Sequence, residues 1–205
     1  MIQLENIEDK IHQHGFHIID NFLNDFHYQT LHILIKTKHQ DGHFRDAKIG
    51  HGQQAVHNNK IRTDKLCWLS KDSEHDALQV YFAAVNNISQ RLNQALFLGL
   101  VDFESHFAVY NPGSFYKKHV DQFATTRDRR ISCVYYLNKT WKAGDGGELI
   151  LYDCDQDNRD LVTIQPIPNR FVCFRSEFPH EVNTTYQMRY SLVGWLKSRA
   201  LNAFT

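Results

Sequence analysis

Residues 101–199 consist of short strand-forming runs broken by turn residues, and that texture restricts the fold more than any other feature of the sequence. The runs are "DFESHFAVY", "RRISCVYYLN", "GGELILYD", "DLVTIQP", "NRFVCFRS", "PHEVNT" and "QMRYSLVGWLK". Between them stand "NPG", "KAGDGG", "IPN" and "EFP". β-Branched and aromatic residues near period two suit a pleated surface buried on one side, and Gly, Pro, Asn and Asp end such runs. Seven or eight strands at this spacing imply a sandwich or barrel of jelly-roll plan. The expected fold is mainly β: a double-stranded β-helix (jelly-roll or cupin-like) core with N-terminal helices packed on one sheet.

The first hundred residues read mainly as helical support. "LENIEDKIHQH" is a short amphipathic segment closed by Gly15, "FHIIDNFL" is a strand, and Asn24 or Asp25 caps a helix reaching about Lys38. From Gln40 to Lys60 the glycines 42, 50 and 52 and the lack of apolar periodicity read as a long loop, the kind that often serves as a lid. "KIRTDKLCWL" is strand-like, and "HDALQVYFAAVNNISQRLNQALF" has helical apolar spacing. We find no repeat and no Pro-, Gly- or Ser-rich linker, so residues 1–205 are expected to form one catalytic domain, with helical support and lid over 1–100 and the β-helix core over 101–199.

Charge narrows the partners. Lys plus Arg equals Asp plus Glu at 23 each, so there is no global electrostatic case for nucleic acid or an anionic membrane. No stretch approaches the ~18 apolar residues of a membrane span, and "MIQLENIEDKIHQHG" lacks the apolar centre of a signal peptide. The expected compartment is the cytoplasm. None of the four cysteines forms a C-x-x-C pair, and Cys133 and Cys173, in apolar runs, read as buried and reduced.

The chain contains two H-x-D triplets, His39–Asp41 and His119–Asp121. With 13 histidines and 16 aspartates in 205 residues, about one is expected by chance, so context must decide between them. His119 and Asp121 lie in the β-rich half, where residues i and i+2 of a strand share a face. His39 and Asp41 lie where a helix runs into a Gly-rich loop, and residues two apart on a helix do not face each other. That pair reads as solvated surface. A third ligand should come from a strand distant in sequence, and His180, after Pro179 in "SEFPHEV", fits. Two His and one carboxylate on one face match the non-haem Fe(II) oxygenases, although zinc accepts the same donors. Arg189 in "QMRYSLVGWL" would be costly facing inward unless it met an anion, and a guanidinium matches a carboxylate bidentately. Ser191, at i+2, shares its face. "DCDQD" (153–157) resembles the start of a calcium loop, but Asn158 replaces the turn glycine and Ile164 the final Glu, so it reads as a hairpin tip. "GDGGE" (144–148) reads as a turn and bulge.

These residues resemble the 2-oxoglutarate and Fe(II)-dependent dioxygenases, and within them the prolyl hydroxylase branch of the hypoxia-factor enzymes and their bacterial relatives. The resemblance spans roughly residues 15–197 and is strongest over "AVYNPGSFYKKHVDQF", "RRISCVYYLNKTW", "GDGGELILY" and "FPHEVNTTYQMRYSLVGWL", with "IRTDKLCWL" in the N-terminal half. It implies that His119, Asp121 and His180 ligate iron. It implies that Arg189 pairs with the distal carboxylate of 2-oxoglutarate, supported by Tyr136 and Ser191, with Tyr110 near cosubstrate and metal. Trp195 would line the substrate pocket, and Arg62 and Asp64 would form a polar pair at its mouth. Arg129, in "QFATTRDRR", would stand on the substrate side, because that segment and the 40–60 loop flank the expected pocket. Ser191 is a departure, since the hypoxia-factor enzymes carry an apolar residue there.

The implied cofactors are Fe(II), 2-oxoglutarate as cosubstrate, O2, and ascorbate as reductant. The implied reaction hydroxylates a prolyl residue of a protein or peptide, with succinate and CO2 as coproducts, and a translation factor is the implied partner class. Two alternatives stay open: a related oxygenase acting on a small molecule or nucleic acid, and a non-catalytic jelly-roll metal binder.

Overall fold

A computed structural model describes residues 6–48, 57–122, 125–154 and 159–199. The segments 49–56, 123–124 and 155–158 lie outside it, so parts of the expected lid and of the "DCDQD" tip are not described.

Three helices lie in the N-terminal half, interleaved with strands: α1 (Ile7–His14), α2 (Asp25–Gln40) and α3 (Asp76–Leu96). Each ends where local chemistry dictates. Gly15 closes α1 at φ +76°, its N–H donating to the Ile11 carbonyl, and a Cβ there would fall inside the Phe178 ring. Asn24 caps α2 by accepting from the His27 N–H at 3.0 Å. Along α3 the residues Ala77, Leu78, Tyr81, Val85, Ile88 and Leu92 recur on one face and are all buried.

Two sheets carry the rest. The strands are β1 (Phe16–Ile19), β2 (Arg45–Asp46), β3 (Lys65–Trp68), β4 (Leu100–Tyr110), β5 (Tyr116–His119), β6 (Arg129–Tyr136), β7 (Leu149–Tyr152), β8 (Asp160–Ile164), β9 (Phe171–Arg175), β10 (His180–Val182) and β11 (Arg189–Ser198). Among the described residues the large sheet runs β1-β9-β6-β11-β4-β3-β2 and the small one β5-β10-β7-β8. The eight strands after residue 100 therefore split between two facing layers, as the turn spacing implied, with an antiparallel ladder wherever strands pair. This is the double-stranded β-helix expected, here with β1, β3 and β2 extending the large sheet.

Period-two alternation sorts each central strand onto two cores. Ile131, Cys133, Tyr135, Phe171, Cys173, Leu192 and Leu196 point to the helices and join Ile11, Leu31, Ile35, Tyr81 and Ile88. Ala108, Tyr110, Val134, Tyr136, Val172 and Phe174 point the other way and meet Leu149, Leu151, Ile164 and Val182 of the small sheet. The helices cover one face only, so the opposite face is free to build a site between the sheets. Both Cys133 and Cys173 are buried and unpaired by disulfide.

Three details differ from the sequence reading. β2 lies within the segment read as loop; it is a two-residue, fully exposed edge strand, too short to show alternation. The strand predicted over "FHIIDNFL" stops at Ile19, because Asn21 adopts a left-handed φ of +52°. α2 runs two residues beyond Lys38.

One residue ties the helical layer to the sheet. Asn169, at φ +58°, accepts from the Leu23 N–H at 3.1 Å and the Tyr135 hydroxyl at 2.7 Å, and donates to the Leu23 carbonyl at 2.8 Å. Asn169→Ala would strand three buried polar groups and place a Cβ residue without a local bonding side chain in the left-handed region. The expected loss is about 3–5 kcal/mol, read from urea unfolding. A variant with wild-type stability would show that Asn169 does not hold the two layers together.

Candidate active site

The small sheet brings two histidines together. His180 on β10 is the direct cross-strand partner of His119 on β5, and their ring centroids are 4.2 Å apart. Asp121 completes the group: its Oδ1 is 3.6 Å from His119 Nε2 and its Oδ2 is 3.4 Å from His180 Nε2. One potential donor atom from each of the three lies within 4.8 Å of the others. Asp121 is not on the strand, as the i/i+2 argument had it. β5 ends at His119, and Asp121 stands in the bend beyond. The two residues converge because the chain turns.

The tautomers of both rings follow from their partners. His119 Nδ1 lies 2.8 Å from the Lys117 carbonyl and His180 Nδ1 2.9 Å from the Phe178 carbonyl. A carbonyl only accepts, so each Nδ1 carries a proton and each ring turns Nε2 toward the shared centre. Burial opposes a charge on His180, but Asp121 outweighs it and raises the His180 pKa above the ordinary imidazole value. Burial and the neighbouring His180 hold His119 below the usual imidazole range, which keeps it neutral. Burial opposes the charge on Asp121, but the two imidazoles outweigh it and keep the carboxyl well below the ordinary carboxylate range.

Across a cavity of about 1210 Å3 lies Arg189, the first residue of β11. It is 1% exposed, and among the described residues it faces no carboxylate. Its Nη1 donates to Ser191 Oγ at 3.3 Å, while Nε has no partner among the described groups. The Tyr110 and Tyr136 rings flank it, with centroids 4.8 and 5.0 Å from Cζ. The Tyr136 hydroxyl is also buried without a described partner. Burial raises both phenols above their ordinary range, so both hydroxyls stay protonated and can donate. Gly147, at φ +71°, packs against the Arg189 stem; a Cβ there would sit 3.0 Å from Arg189 Cδ. A buried cation with an unpartnered donor beside it is costly unless an anion joins it, and a carboxylate matches that donor set. The arrangement therefore fits both groups an iron and 2-oxoglutarate enzyme needs: nitrogen and carboxylate donors for a divalent metal, and a clamp for a dicarboxylate.

The remaining sequence-predicted residues line the same cavity. Arg62 makes a two-pronged bond to Asp64 at 2.8 and 2.7 Å, and Asp64 is only 1% exposed. Burial opposes the Arg62 charge, yet the Asp64 bonds raise its pKa above the ordinary value. The pair sits deeper than a rim. The Arg62 guanidinium lies 4.1 Å over the Tyr116 ring, which stacks on His119 at 3.5 Å between centroids. Trp195 is covered by Arg129, whose Cζ lies 3.5 Å over the indole, and Arg129 forks onto Glu104 Oε1 at 2.9 and 2.7 Å. Trp68 and His106 continue this wall, with Trp68–His106 and His106–Trp195 centroids 5.0 and 5.4 Å apart.

The sequence reading missed Tyr116, His106, Glu104 and Trp68. The signal was the alternation of "DFESHFAVY", which puts Glu104 and His106 on the same face as Tyr110. His106 is buried, and its pKa is lowered to about 3, first by burial and then by the Arg62 charge, so it is neutral here. His39 and Asp41 do not converge on a metal-binding group: Asp41 is exposed, and His39 is half-buried with its ring set edge-on to Phe44 and Tyr190.

Comparison with known proteins agrees with this geometry. Residues 105–197 match the 2OG-Fe(II) oxygenase superfamily. A Pseudomonas putida prolyl-4-hydroxylase of known structure is 33% identical, with a TM-score of 0.82 over 94% of this chain and 97% of that one. A Trichoplax adhaerens prolyl hydroxylase, solved in complex with a hypoxia inducible factor oxygen degradation domain peptide fragment, is 29% identical, with a TM-score of 0.84 over 94% of this chain and 87% of that one. Prolyl hydroxylase EGLN3 of Mus musculus is 28% identical over 201 residues, 95% of this chain and 83% of that protein. The chain belongs to the 2-oxoglutarate and Fe(II)-dependent oxygenase superfamily. Within it, this protein is a dioxygenase of the prolyl hydroxylase type, using Fe(II), 2-oxoglutarate and O2.

Removing one half of a buried ion pair exposes what the pair was holding. Asp64→Ala would leave the Arg62 charge unpaired against Tyr116 and is expected to cost about 3–5 kcal/mol in urea unfolding. The double variant Asp64→Leu with Arg62→Met should recover most of that stability, since an apolar pair of similar volume avoids the desolvation cost. If the single variant unfolds like wild type, Arg62 is not held as the geometry indicates.

Proposed function

We propose that this protein hydroxylates a prolyl residue of a protein substrate, with succinate and CO2 as coproducts. The observation that carries the reading is Arg189, buried and flanked by two tyrosines, across one cavity from the His119–Asp121–His180 group. A metal store or sensor has no use for a carboxylate clamp in that position.

In this reading His119, Asp121 and His180 hold Fe(II) through Nε2, one carboxylate oxygen and Nε2. Arg189 grips the distal carboxylate of 2-oxoglutarate, with Tyr136 donating a second bond and Ser191 steadying the guanidinium. Tyr110 packs beside the clamp and offers a protonated hydroxyl toward the cavity. When bound, the iron and cosubstrate supply oxidative decarboxylation coupled to insertion of one oxygen atom into a substrate C–H bond. The chain's own part is to fix the donors on rigid strands, keep the cosubstrate in one orientation and exclude bulk water.

The substrate side is built by Trp195, Arg129, Arg62 and Asp64. Its aromatic floor and charged walls suit a proline ring next to peptide amides, which accept and donate where Arg129 and Glu104 offer partners. The cavity, about 1210 Å3, exceeds the roughly 300–1,000 Å3 usual for a small-molecule site, leaving space beyond a small cosubstrate. The peptide complex of the Trichoplax relative supports the same class. The reading extends to a translation factor as partner, to ascorbate as reductant, and to work in the cytoplasm.

The test is succinate formation from 2-oxoglutarate with Fe(II) and ascorbate, with and without proline-containing peptides. It is joined to mass spectrometry of cellular proteins for prolines one oxygen atom heavier when the enzyme is present. Peptide-stimulated turnover and such prolines are the expected result. Turnover stimulated only by small molecules or nucleic acid would overturn the substrate assignment. His119→Ala and Asp121→Ala should abolish iron-dependent turnover while His39→Ala keeps it. Arg189→Ala should weaken 2-oxoglutarate binding by roughly 30-fold or more, the equivalent of about 2 kcal/mol or above for a buried charged partner.

A further inference from the structure

Asp121 has no ladder to hold it, because β5 ends two residues earlier. What holds it comes from other strands. Ser132, on the cavity face of β6 and 1% exposed, donates from Oγ to Asp121 Oδ2 at 2.7 Å. Behind it stands Ser176, fully buried just after β9, with its Oγ 2.9 Å from Ser132 Oγ. A hydroxyl has one proton. An ionised carboxylate can only accept, so the Ser132 proton points to Asp121 and Ser132 must accept from Ser176. The pair is therefore oriented, Ser176 to Ser132 to Asp121. The main chain reinforces it: Gln122 N–H donates to the Ser176 carbonyl at 3.1 Å, and Ser176 N–H donates to the Arg130 carbonyl at 3.0 Å.

We propose that Ser132 and Ser176 are positioning residues that set how Asp121 meets the metal. The Ser132 hydroxyl occupies Oδ2 and leaves Oδ1 as the ligating oxygen. One-atom ligation matters for the chemistry. Three protein donor atoms leave three positions on an octahedral ion, two for a chelating 2-oxo acid and one for O2. A carboxylate binding through both oxygens would take one of those positions. The inference rests on the reading that His119, Asp121 and His180 hold the metal, and adds two residues to it.

The test reads metal binding without turnover. Mn(II) affinity of the full chain is measured by titration under argon for wild type, Ser132→Ala, Ser132→Thr, Ser176→Ala and Asp121→Ala, with urea unfolding of each metal-free variant alongside. Ser132→Ala should weaken Mn(II) binding roughly 10- to 100-fold, the usual effect of losing a group that orients a ligand. Ser132→Thr, which keeps the hydroxyl, should restore it, and Ser176→Ala should lose affinity in the same direction by less. In Ser132→Ala loaded with Fe(II), the anaerobic charge-transfer absorption that forms on adding 2-oxoglutarate should weaken or shift. Wild-type Mn(II) affinity in a folded Ser132→Ala protein would overturn the proposal, as would a loss that Ser132→Thr fails to rescue. If Ser132→Ala does not fold, unchanged affinity in Ser176→Ala overturns it. Asp121→Ala separates the two levels: if it binds Mn(II) as wild type does, the metal reading itself has failed, and if it alone loses the metal, only the serine assignment has.

Discussion

The two-sidedness of β11 is the constraint on which the rest of the structure depends. It lies in the middle of the large sheet, pairing with β4 along nearly its whole length on one side and with β6 on the other. Both edges are satisfied by ladders, so its ten residues have no freedom except the alternation of their side chains. Leu192 and Leu196 drop into the helical core. Arg189, Ser191, Val193 and Trp195 face the small sheet. One strand thus carries the cosubstrate clamp at one end and the aromatic substrate wall at the other, about six residues or 20 Å apart at the usual rise of a strand. Slipping the register by one residue would bury Tyr190 and Val193 on the wrong faces and turn Arg189 into the helices, where nothing could pair with it.

Burying Arg189 in such a place is unfavourable by itself, and the surroundings show how the cost is contained. Two tyrosine faces take up the guanidinium, Ser191 accepts one bond, and Gly147 lets the backbone approach without a Cβ. These contacts keep the side chain in one orientation but leave Nε and the Tyr136 hydroxyl without partners among the described groups. A folded protein keeps few such atoms unless a ligand completes them. The stability given up at the clamp is offset on the other face of the same sheet, where Phe22, Tyr81, Tyr135 and Phe171 stack and edge-pack in the helical core.

Much of this was legible in the sequence, because the two signals it rests on are local. Alternation and turn residues reveal a sandwich of short strands before any partner is known. α3 is evident from the spacing of Ala77, Leu78, Tyr81, Val85, Ile88 and Leu92. What was not legible depends on contacts between distant segments. β2 is two exposed residues ordered, among the described residues, by pairing with the edge of β3. His106 reads as one more histidine until β3 and β11 bring Trp68 and Trp195 against it. Ser132 and Ser176 are 44 positions apart and ordinary in composition, and only the pairing of β6 with β9 brings their hydroxyls within 2.9 Å.

The two H-x-D triplets show where the information in such a motif lies. Both stand at the end of a regular element, one closing α2 and the other leaving β5. At the helix end, His39 sets its ring edge-on to Phe44 of the following loop and Tyr190 of β11, while Asp41 caps the helix and faces water, so neither meets a further metal-binding side chain among the described residues. At the strand end, the next strand of the sheet supplies His180 at the register position of His119, and the facing sheet supplies Ser132 to hold Asp121. The helix end offers an aromatic ring to one side chain and water to the other; the strand end offers a second histidine and a buried hydroxyl. The same His and Asp pair therefore makes a metal-binding group only in the second setting, and the spacing between them is the least important part of why.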